Sequence, residues 1–189
     1  MSRIGINKAQ EGDFRLFENR RLLNDKEYSL GRTCIFVSHK KDDAGQAKDL
    51  AKYIIQCGVD VYFDENDPVL TNPDVFKDPI KITNAINRAL SRSTHMICVI
   101  SEKTKDSWWV PYEIGYVSNK LSFKSSDIGI LIIKNISHLP EYLFLSTKID
   151  TKLELDSFIK SASNTETLIP ERAKTIAELL NHPLNSILR

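Results

Sequence analysis

The sequence predicts an α/β protein built on a doubly wound parallel sheet of about five strands in the order 2-1-3-4-5, with helical N- and C-terminal extensions. Between residues 33 and 150, short uninterrupted apolar runs alternate with segments whose apolar residues recur at helical spacing. Uninterrupted apolar strands are typical of a parallel sheet that helices cover on both faces. Right-handed crossovers between such strands then give the flavodoxin-like order.

Five apolar runs account for the predicted strands, because each is short and is bounded by turn-forming or polar residues. The fifth is the shortest. In chain order, the predicted strands are Thr33–Ser38, Val59–Phe63, His95–Ser101, Asp127–Lys134 and Thr147–Asp150.

Three helices are predicted between these strands. The first covers Asp43–Cys57, where Asp43 and Gln46 have the spacing of a capping box. The second covers Ile80–Leu90, whose apolar residues lie at helical spacing on one face. The third begins near Trp109–Pro111, since proline is favoured in the first turn of a helix.

The chain is predicted to form one domain, residues 33–150, with an extension at each end. Residues 1–32 form an N-terminal extension and residues 151–189 form a C-terminal helical extension, and we expect both to pack on the domain. Helices are predicted in them at Asp13–Leu23, near Lys152–Ser161 and at Pro170–His182.

The composition indicates a globular protein and excludes several functional classes. Lysine and arginine number 26 against 25 aspartate and glutamate residues, whereas a nucleic-acid-binding surface requires a basic patch. No apolar run reaches the roughly 20 residues of a membrane-spanning helix, and the first residues lack the apolar block of a secretory signal. The three cysteines have no zinc-ligand spacing. We therefore expect a cytoplasmic protein without disulfides, metal, membrane contact or a nucleic-acid partner.

The topology itself predicts where a ligand would bind. In a doubly wound sheet, ligands bind at the carboxyl ends of the strands where the strand order reverses, here between strands 1 and 3. This selects the loop of residues 38–43 and the loop of residues 101–113. The acidic, proline-rich loop Asp64–Pro79 lies on the same rim, so it is placed to fold over the site as a lid.

The strongest candidate residues lie in the run Ser107–Glu113. Trp109 and Glu113 are four residues apart at the start of a helix, so they share a face. Free amides and the helix dipole stabilise a carboxylate there as the anion, which suits hydrogen bonding to sugar hydroxyls and stabilising a cation. The indole offers a stacking surface for a base or nicotinamide ring. The alternative is structural, with Glu113 as a partner of the helix dipole and Trp109 in the core.

Ser38 and His39 are further candidates because they follow strand 1 at the point where the order reverses. We expect them to contact the diphosphate or a ribose of a ligand. The alternative is that Ser38 caps the strand end and His39 is exposed to solvent. Neither G-x-G-x-x-G nor G-x-x-x-x-G-K-[ST] occurs, so hydride transfer on a Rossmann site and P-loop hydrolysis are disfavoured.

Three motifs in order resemble the Toll/interleukin-1 receptor (TIR) domain, and within it the bacterial branch. They are FVSHKKDD at 36–43, VYFDEND at 61–67, and Ser107, Trp109 and Glu113 after a strand. The resemblance implies an NAD⁺-cleaving site in which Glu113 is catalytic, while Trp109, Ser107 and the residues after the first strand line the pocket. It also implies that the loop Asp64–Pro79, with the helices, mediates self-association. That loop lacks the family's glycine, so its conformation is not carried over.

The resemblance implies an NAD⁺ glycohydrolase or cyclase that uses NAD⁺ as substrate, needs no cofactor and releases ADP-ribose or a cyclic ADP-ribose isomer. It further implies a role in bacterial antiphage signalling, such as that of a Thoeris-type sensor whose nucleotide product activates an effector. Two alternatives stay open. One is a non-catalytic TIR scaffold, and the other is an enzyme similar to nucleoside deoxyribosyltransferases, which share this type of sheet and use a glutamate nucleophile.

Overall fold

A five-stranded, all-parallel sheet forms the centre of the protein, and its order, β2-β1-β3-β4-β5, confirms the predicted one. The computed structural model describes residues 4–10, 33–75, 77–104, 107–120, 124–133, 136, 138–163, 182 and 184–188. The strands are β1 (Cys34–Ser38), β2 (Asp60–Tyr62), β3 (His95–Ile100), β4 (Ile128–Ile132) and β5 (Thr147–Ile149).

Helices follow the strands as the apolar periodicity predicts. They are α1 (Ala44–Gln56), α2 (Pro79–Arg92), α3 (Trp109–Ser118) and α4 (Lys152–Ser163). Gly58 directly follows the end of α1 with a φ of 83°, a conformation that glycine adopts without steric cost. Helix α2 begins at Pro79, one residue before the predicted start, because Asp78 accepts hydrogen bonds from the next free amides.

The helices cover both faces of the sheet, so the interpretation of the apolar strands is confirmed. Ile35 and Val37 of β1 point to the face that α1 and α4 cover, together with apolar residues of segment 184–188. Cys34 and Phe36 point to the opposite face, under α2 and α3. All three cysteines are buried, and none of them forms a disulfide.

The N-terminal segment covers the edge of the sheet at β2, which the sequence did not reveal. Asn7 forms a parallel bridge with Val61, and the amide of Val61 donates to the carbonyl of Ile6. A Cβ on Gly5 would lie 2.1 Å from the carbonyl oxygen of Val59, so only glycine permits this approach. The predicted helix Asp13–Leu23 and nearly all of Pro170–His182 lie outside the described residues, and the proposed domain division stays a prediction.

The loop Asp64–Pro79 is organised by one buried carboxylate. Asp67 is 2% exposed and accepts hydrogen bonds from the Tyr62 hydroxyl and the Val69 amide. A 3-10 turn at Asp64–Asn66 precedes it. This anchoring fixes the root of the loop beside the carboxyl end of β2. Across the described part of the chain, no helix has the length and apolar character needed to cross a membrane.

Candidate functional site

Ser38 and Glu113 meet at the carboxyl end of β1, where the strand order reverses. Ser38 is the last residue of β1 and lies opposite Cys98 of β3 in the parallel register. Its hydroxyl donates a hydrogen bond to Oε2 of Glu113, which α3 supplies. Both side chains are buried, since Ser38 is 2% exposed and Glu113 is 6% exposed. The predicted convergence of these two residues is therefore present.

The charge state of Glu113 differs from the sequence-based expectation. The pKa of its carboxyl is raised to about 8, mainly by burial; the hydrogen bond from Ser38 opposes this rise, and the negative charge of Asp64 adds to it. Glu113 is the fifth residue of α3, beyond the first turn whose free amides and dipole would stabilise an anion. The expectation that local helix effects hold Glu113 ionised is therefore wrong.

His39 directly follows Ser38 in the chain, and its imidazole faces Asp64 in the loop after β2. Its side chain is 3% exposed, and its Nδ1 lies 3.6 Å from Oδ1 of Asp64. The imidazole stacks on the Phe63 ring, with ring centroids 5.1 Å apart. The alternative that His39 is a solvent-exposed residue is wrong. Whether it contacts a substrate stays a prediction.

Asp43 links the two loops at the switch point rather than capping α1. Its carboxylate accepts hydrogen bonds from the hydroxyls of Ser101 and Thr104, each at 2.7 Å, and makes no side-chain capping bond at the start of α1. The predicted capping role with Gln46 is therefore wrong. A carboxylate accepts hydrogen bonds from whichever donors surround it, and here the loop after β3 supplies two buried hydroxyls.

Replacing Asp43 by alanine is expected to lower the free energy of unfolding by about 2 kcal/mol, because the buried hydroxyls of Ser101 and Thr104 lose their acceptor. Urea unfolding of the variant measures this loss. Asp42→Ala is the matched control, since the Asp42 side chain is 52% exposed and its removal changes stability by less than about 0.5 kcal/mol. Equal losses in the two variants would contradict the assigned role.

Ser107 and Trp109 lie at the start of α3, in different environments from Glu113. The Ser107 hydroxyl lies 3.5 Å from the Val110 amide, at the first turn of the helix. Trp109 is 41% exposed, and its ring packs edge-on against Tyr112 at 5.8 Å. The alternative that Trp109 is a core residue is wrong. The structure leaves an aromatic surface beside the site, while its use in binding stays a prediction.

A cavity of about 590 Å³ lies on the other side of α3. Its helix residues, Pro111, Ile114, Gly115 and Ser118, lie on the face opposite Glu113, because each residue advances about 100° around the helix axis. The cavity therefore does not contain the candidate site. Elsewhere in the described ranges, no three His, Cys, Asp or Glu side chains converge closely enough to hold a metal ion.

Asp64 also belongs to this site, although the sequence analysis named it only as the start of the loop Asp64–Pro79. It is the second residue after β2, and a carboxyl end of a strand is the position where site residues are expected. Burial raises the pKa of its carboxyl and His39 opposes that rise. The site thus combines a buried carboxyl, a hydroxyl donor and a histidine–carboxylate pair, an arrangement that can stabilise a cation and transfer protons.

Comparison with known proteins identifies the family. No curated protein matches the chain, but the family model described as the TIR domain matches residues 35–158. The matched segment begins in β1 and ends in α4, so it includes all of the sheet except Cys34, together with Ser38, His39, Asp64 and Glu113. Because this match covers well over half of the sequence and agrees with the five-stranded order, the chain belongs to the TIR domain family.

Proposed function

We propose that the protein cleaves the bond between nicotinamide and ribose in NAD⁺, with Glu113 as the essential catalytic residue. The observation that supports this most directly is the buried carboxyl of Glu113, held by Ser38 at the point where the strand order reverses. TIR domains include NAD⁺ hydrolases, so the family is consistent with this activity.

The chemistry requires one negative charge in a site with little water. Nicotinamide leaves as a neutral molecule, so the leaving group needs little acid catalysis. The ribose that remains has oxocarbenium character and is positive in the transition state, as in glycoside cleavage. An ionised Glu113 beside it stabilises that charge more strongly than water does, because its surroundings are preorganised and of low dielectric.

The raised pKa of Glu113 makes its ionisation part of the reaction. Around neutral pH the empty site favours the protonated carboxyl, since its pKa is raised to about 8. Bound NAD⁺ places its positive pyridinium next to Glu113, and an opposite charge favours the ionised form. Substrate binding and loss of the Glu113 proton are therefore coupled. Trp109 supplies a stacking surface for an aromatic ring of the dinucleotide, and Ser38, His39 and Ser107 contact its polar groups.

The proposed products are ADP-ribose and nicotinamide, or a cyclic ADP-ribose isomer where a group of the substrate captures the ribose before water does. In the wider proposal the protein self-associates through the loop Asp64–Pro79 and its helices. It acts in bacterial antiphage signalling, as a Thoeris-type sensor whose nucleotide product reaches a separate effector. The deoxyribosyltransferase alternative is not carried forward, because the chain belongs to the TIR family.

A non-catalytic scaffold is the competing function within the family. One observation favours it, because Trp108 is 91% exposed next to Trp109 at the start of α3, and an exposed aromatic pair is suited to a protein contact. NAD⁺ cleavage and the scaffold role use the same fold, so a measurement of NAD⁺ turnover distinguishes them.

Purified protein incubated with NAD⁺ is expected to release nicotinamide, at a rate that rises between pH 6 and pH 8 as Glu113 ionises. Chromatography of the products measures this release and identifies the linear or cyclic nucleotide. The rate per molecule is expected to increase with protein concentration, because assembly completes the site. A scaffold leaves NAD⁺ intact at every pH, even at concentrations that force it to assemble, and that result would refute the proposal.

A further inference from the structure

The mechanism above gives His39 a contact to the substrate but leaves the pairing of His39 with Asp64 without a role in the reaction. Nδ1 of His39 and Oδ1 of Asp64 face each other at 3.6 Å. Among the described residues, neither of these buried atoms has a hydrogen-bond partner. A buried polar atom without a partner is costly, so such an atom in a native structure calls for an explanation.

The imidazole is held in a defined orientation between two carboxylates. Phe63 stacks against one face of the ring with an interplanar angle of 30°, Asp64 faces Nδ1, and Oε1 of Glu65 lies 4.0 Å from Nε2. Asp64 is nearer to the ring than Glu65, whose side chain is 43% exposed, so Asp64 keeps the proton on Nδ1 and leaves Nε2 as the proton acceptor. The 3.6 Å separation resembles the long contacts of empty catalytic sites, which shorten when the substrate is bound.

This pair lies at the same edge of the sheet as Glu113, the group proposed to stabilise the ribosyl cation, since His39 follows β1 and Asp64 follows β2. Ser38, which donates to Glu113, directly precedes His39 in the chain. The charge of Asp64 also acts on Glu113. The titratable groups around His39 are therefore Asp64 and Glu65 from the loop after β2, and Glu113 from α3 across Ser38.

We propose that His39, oriented by Asp64, is the base that accepts the proton of the nucleophile; this inference rests on the NAD⁺ cleavage proposed above. The bond between C1′ and the pyridinium nitrogen breaks, and its electron pair leaves on neutral nicotinamide. The oxygen of water, or of a substrate hydroxyl, forms the new bond to C1′ and loses its proton to Nε2. That proton then passes to solvent, which balances the positive charge lost from the pyridinium.

A neutral pyridine used as the nucleophile distinguishes base catalysis by His39 from cation stabilisation and substrate binding. A base such as 3-acetylpyridine forms its bond to C1′ without losing a proton, so its exchange with nicotinamide requires Glu113 but no base. Both reactions are measured in one mixture, as ADP-ribose and as the exchanged dinucleotide. In His39→Gln at saturating NAD⁺, where a weakened substrate contact does not limit the rate, we expect hydrolysis to fall about 10²-fold, the scale of general base catalysis, while exchange stays near the wild-type rate.

Asp64→Asn is expected to lower hydrolysis selectively as well, but less, because the imidazole remains without its orienting carboxylate. Asp42→Asn is the control, since it removes an exposed carboxylate of the loop after β1 and leaves both rates unchanged. If hydrolysis and exchange fall by the same factor in His39→Gln, His39 has a structural role and this inference is wrong, although NAD⁺ cleavage stands. If the wild type leaves NAD⁺ intact, the proposed function and this inference fail together.

Discussion

Replacement of Glu113 by glutamine is expected to lower NAD⁺ turnover by at least about 10²–10³-fold at pH 8, the scale seen when one preorganised electrostatic group is removed. Glutamine retains an oxygen that accepts the Ser38 hydrogen bond, so the contact and the volume persist while the negative charge is lost. The loss of rate then reports the charge itself. Initial rates of nicotinamide release at saturating NAD⁺ measure it.

Asp42→Asn is the matched control for this variant, since it also removes one negative charge near the carboxyl end of β1. Its side chain is 52% exposed and pairs with Lys40, so solvent screens its charge and turnover is expected to stay at the wild-type rate. Turnover in Glu113→Gln within tenfold of wild type would remove Glu113 from the catalytic role and leave the scaffold as the better account.

The same substitution is expected to stabilise the empty protein, increasingly so as the pH rises. The pKa of Glu113 is about 8 in the folded protein against 4.5 for an exposed glutamate. Below pH 4.5 the carboxyl is protonated in the folded and unfolded states alike, so its ionisation costs nothing. Between pH 4.5 and 8 the unfolded chain releases the proton and the folded protein keeps it, so the wild type loses stability. The loss is complete above pH 8, on the order of 4–5 kcal/mol.

Thermal unfolding of wild type and Glu113→Gln at pH 5 and pH 8.5, without NAD⁺, tests this linkage. The two proteins are expected to melt at similar temperatures at pH 5, and the variant about 10 °C higher at pH 8.5, at roughly 2–4 °C per kcal/mol for a chain of this size. Melting temperatures that change in parallel with pH would show that Glu113 is ionised in the folded protein. Such a result would restore the expectation based on its position in the helix.

These two results together distinguish a catalytic group from a structural one. Replacing a residue that maintains the fold lowers the stability and the activity of the protein together, as expected for Asp43. Replacing Glu113 is expected to lower activity and raise stability, because a carboxyl buried without a full set of partners costs folding free energy. Lower stability is a common cost of an active-site group, and here both effects are measurable on one variant.

The fold was predictable from the sequence because its strands and helices are defined by local patterns. The apolar run His95–Ser101 differs from β3 by one residue, and Asp127–Lys134 contains the whole of β4. Gly58 follows the end of α1 and Pro79 begins α2, in agreement with the backbone preferences of glycine and proline. The N-terminal segment at β2 was missed, since a stretch of three residues such as Gly5–Asn7 carries no periodic signal; it joins the sheet through backbone bonds and through the Asn7 side chain.

The candidate site was predictable in location but not in its interactions. Topology selected the ends of strands 1 and 3, and Ser38 and Glu113 do meet there. The roles of Asp43 and Asp64 were missed because each depends on neighbours far away in sequence, such as Thr104 for Asp43 and His39 for Asp64. A capping motif is visible in four residues, whereas competition from two buried hydroxyls is visible only in the folded chain.

The sequence by itself determined the α/β class, the strand order and the family, because apolar periodicity, turn residues and motif spacing are properties of neighbouring residues. Only the tertiary structure decided the charge of Glu113, the partners of Asp43 and the pairing of His39 with Asp64. The physical reason is that desolvation and hydrogen bonding depend on what surrounds an atom in three dimensions. Residues from three strands and a helix, up to 75 positions apart as for Ser38 and Glu113, provide those surroundings here.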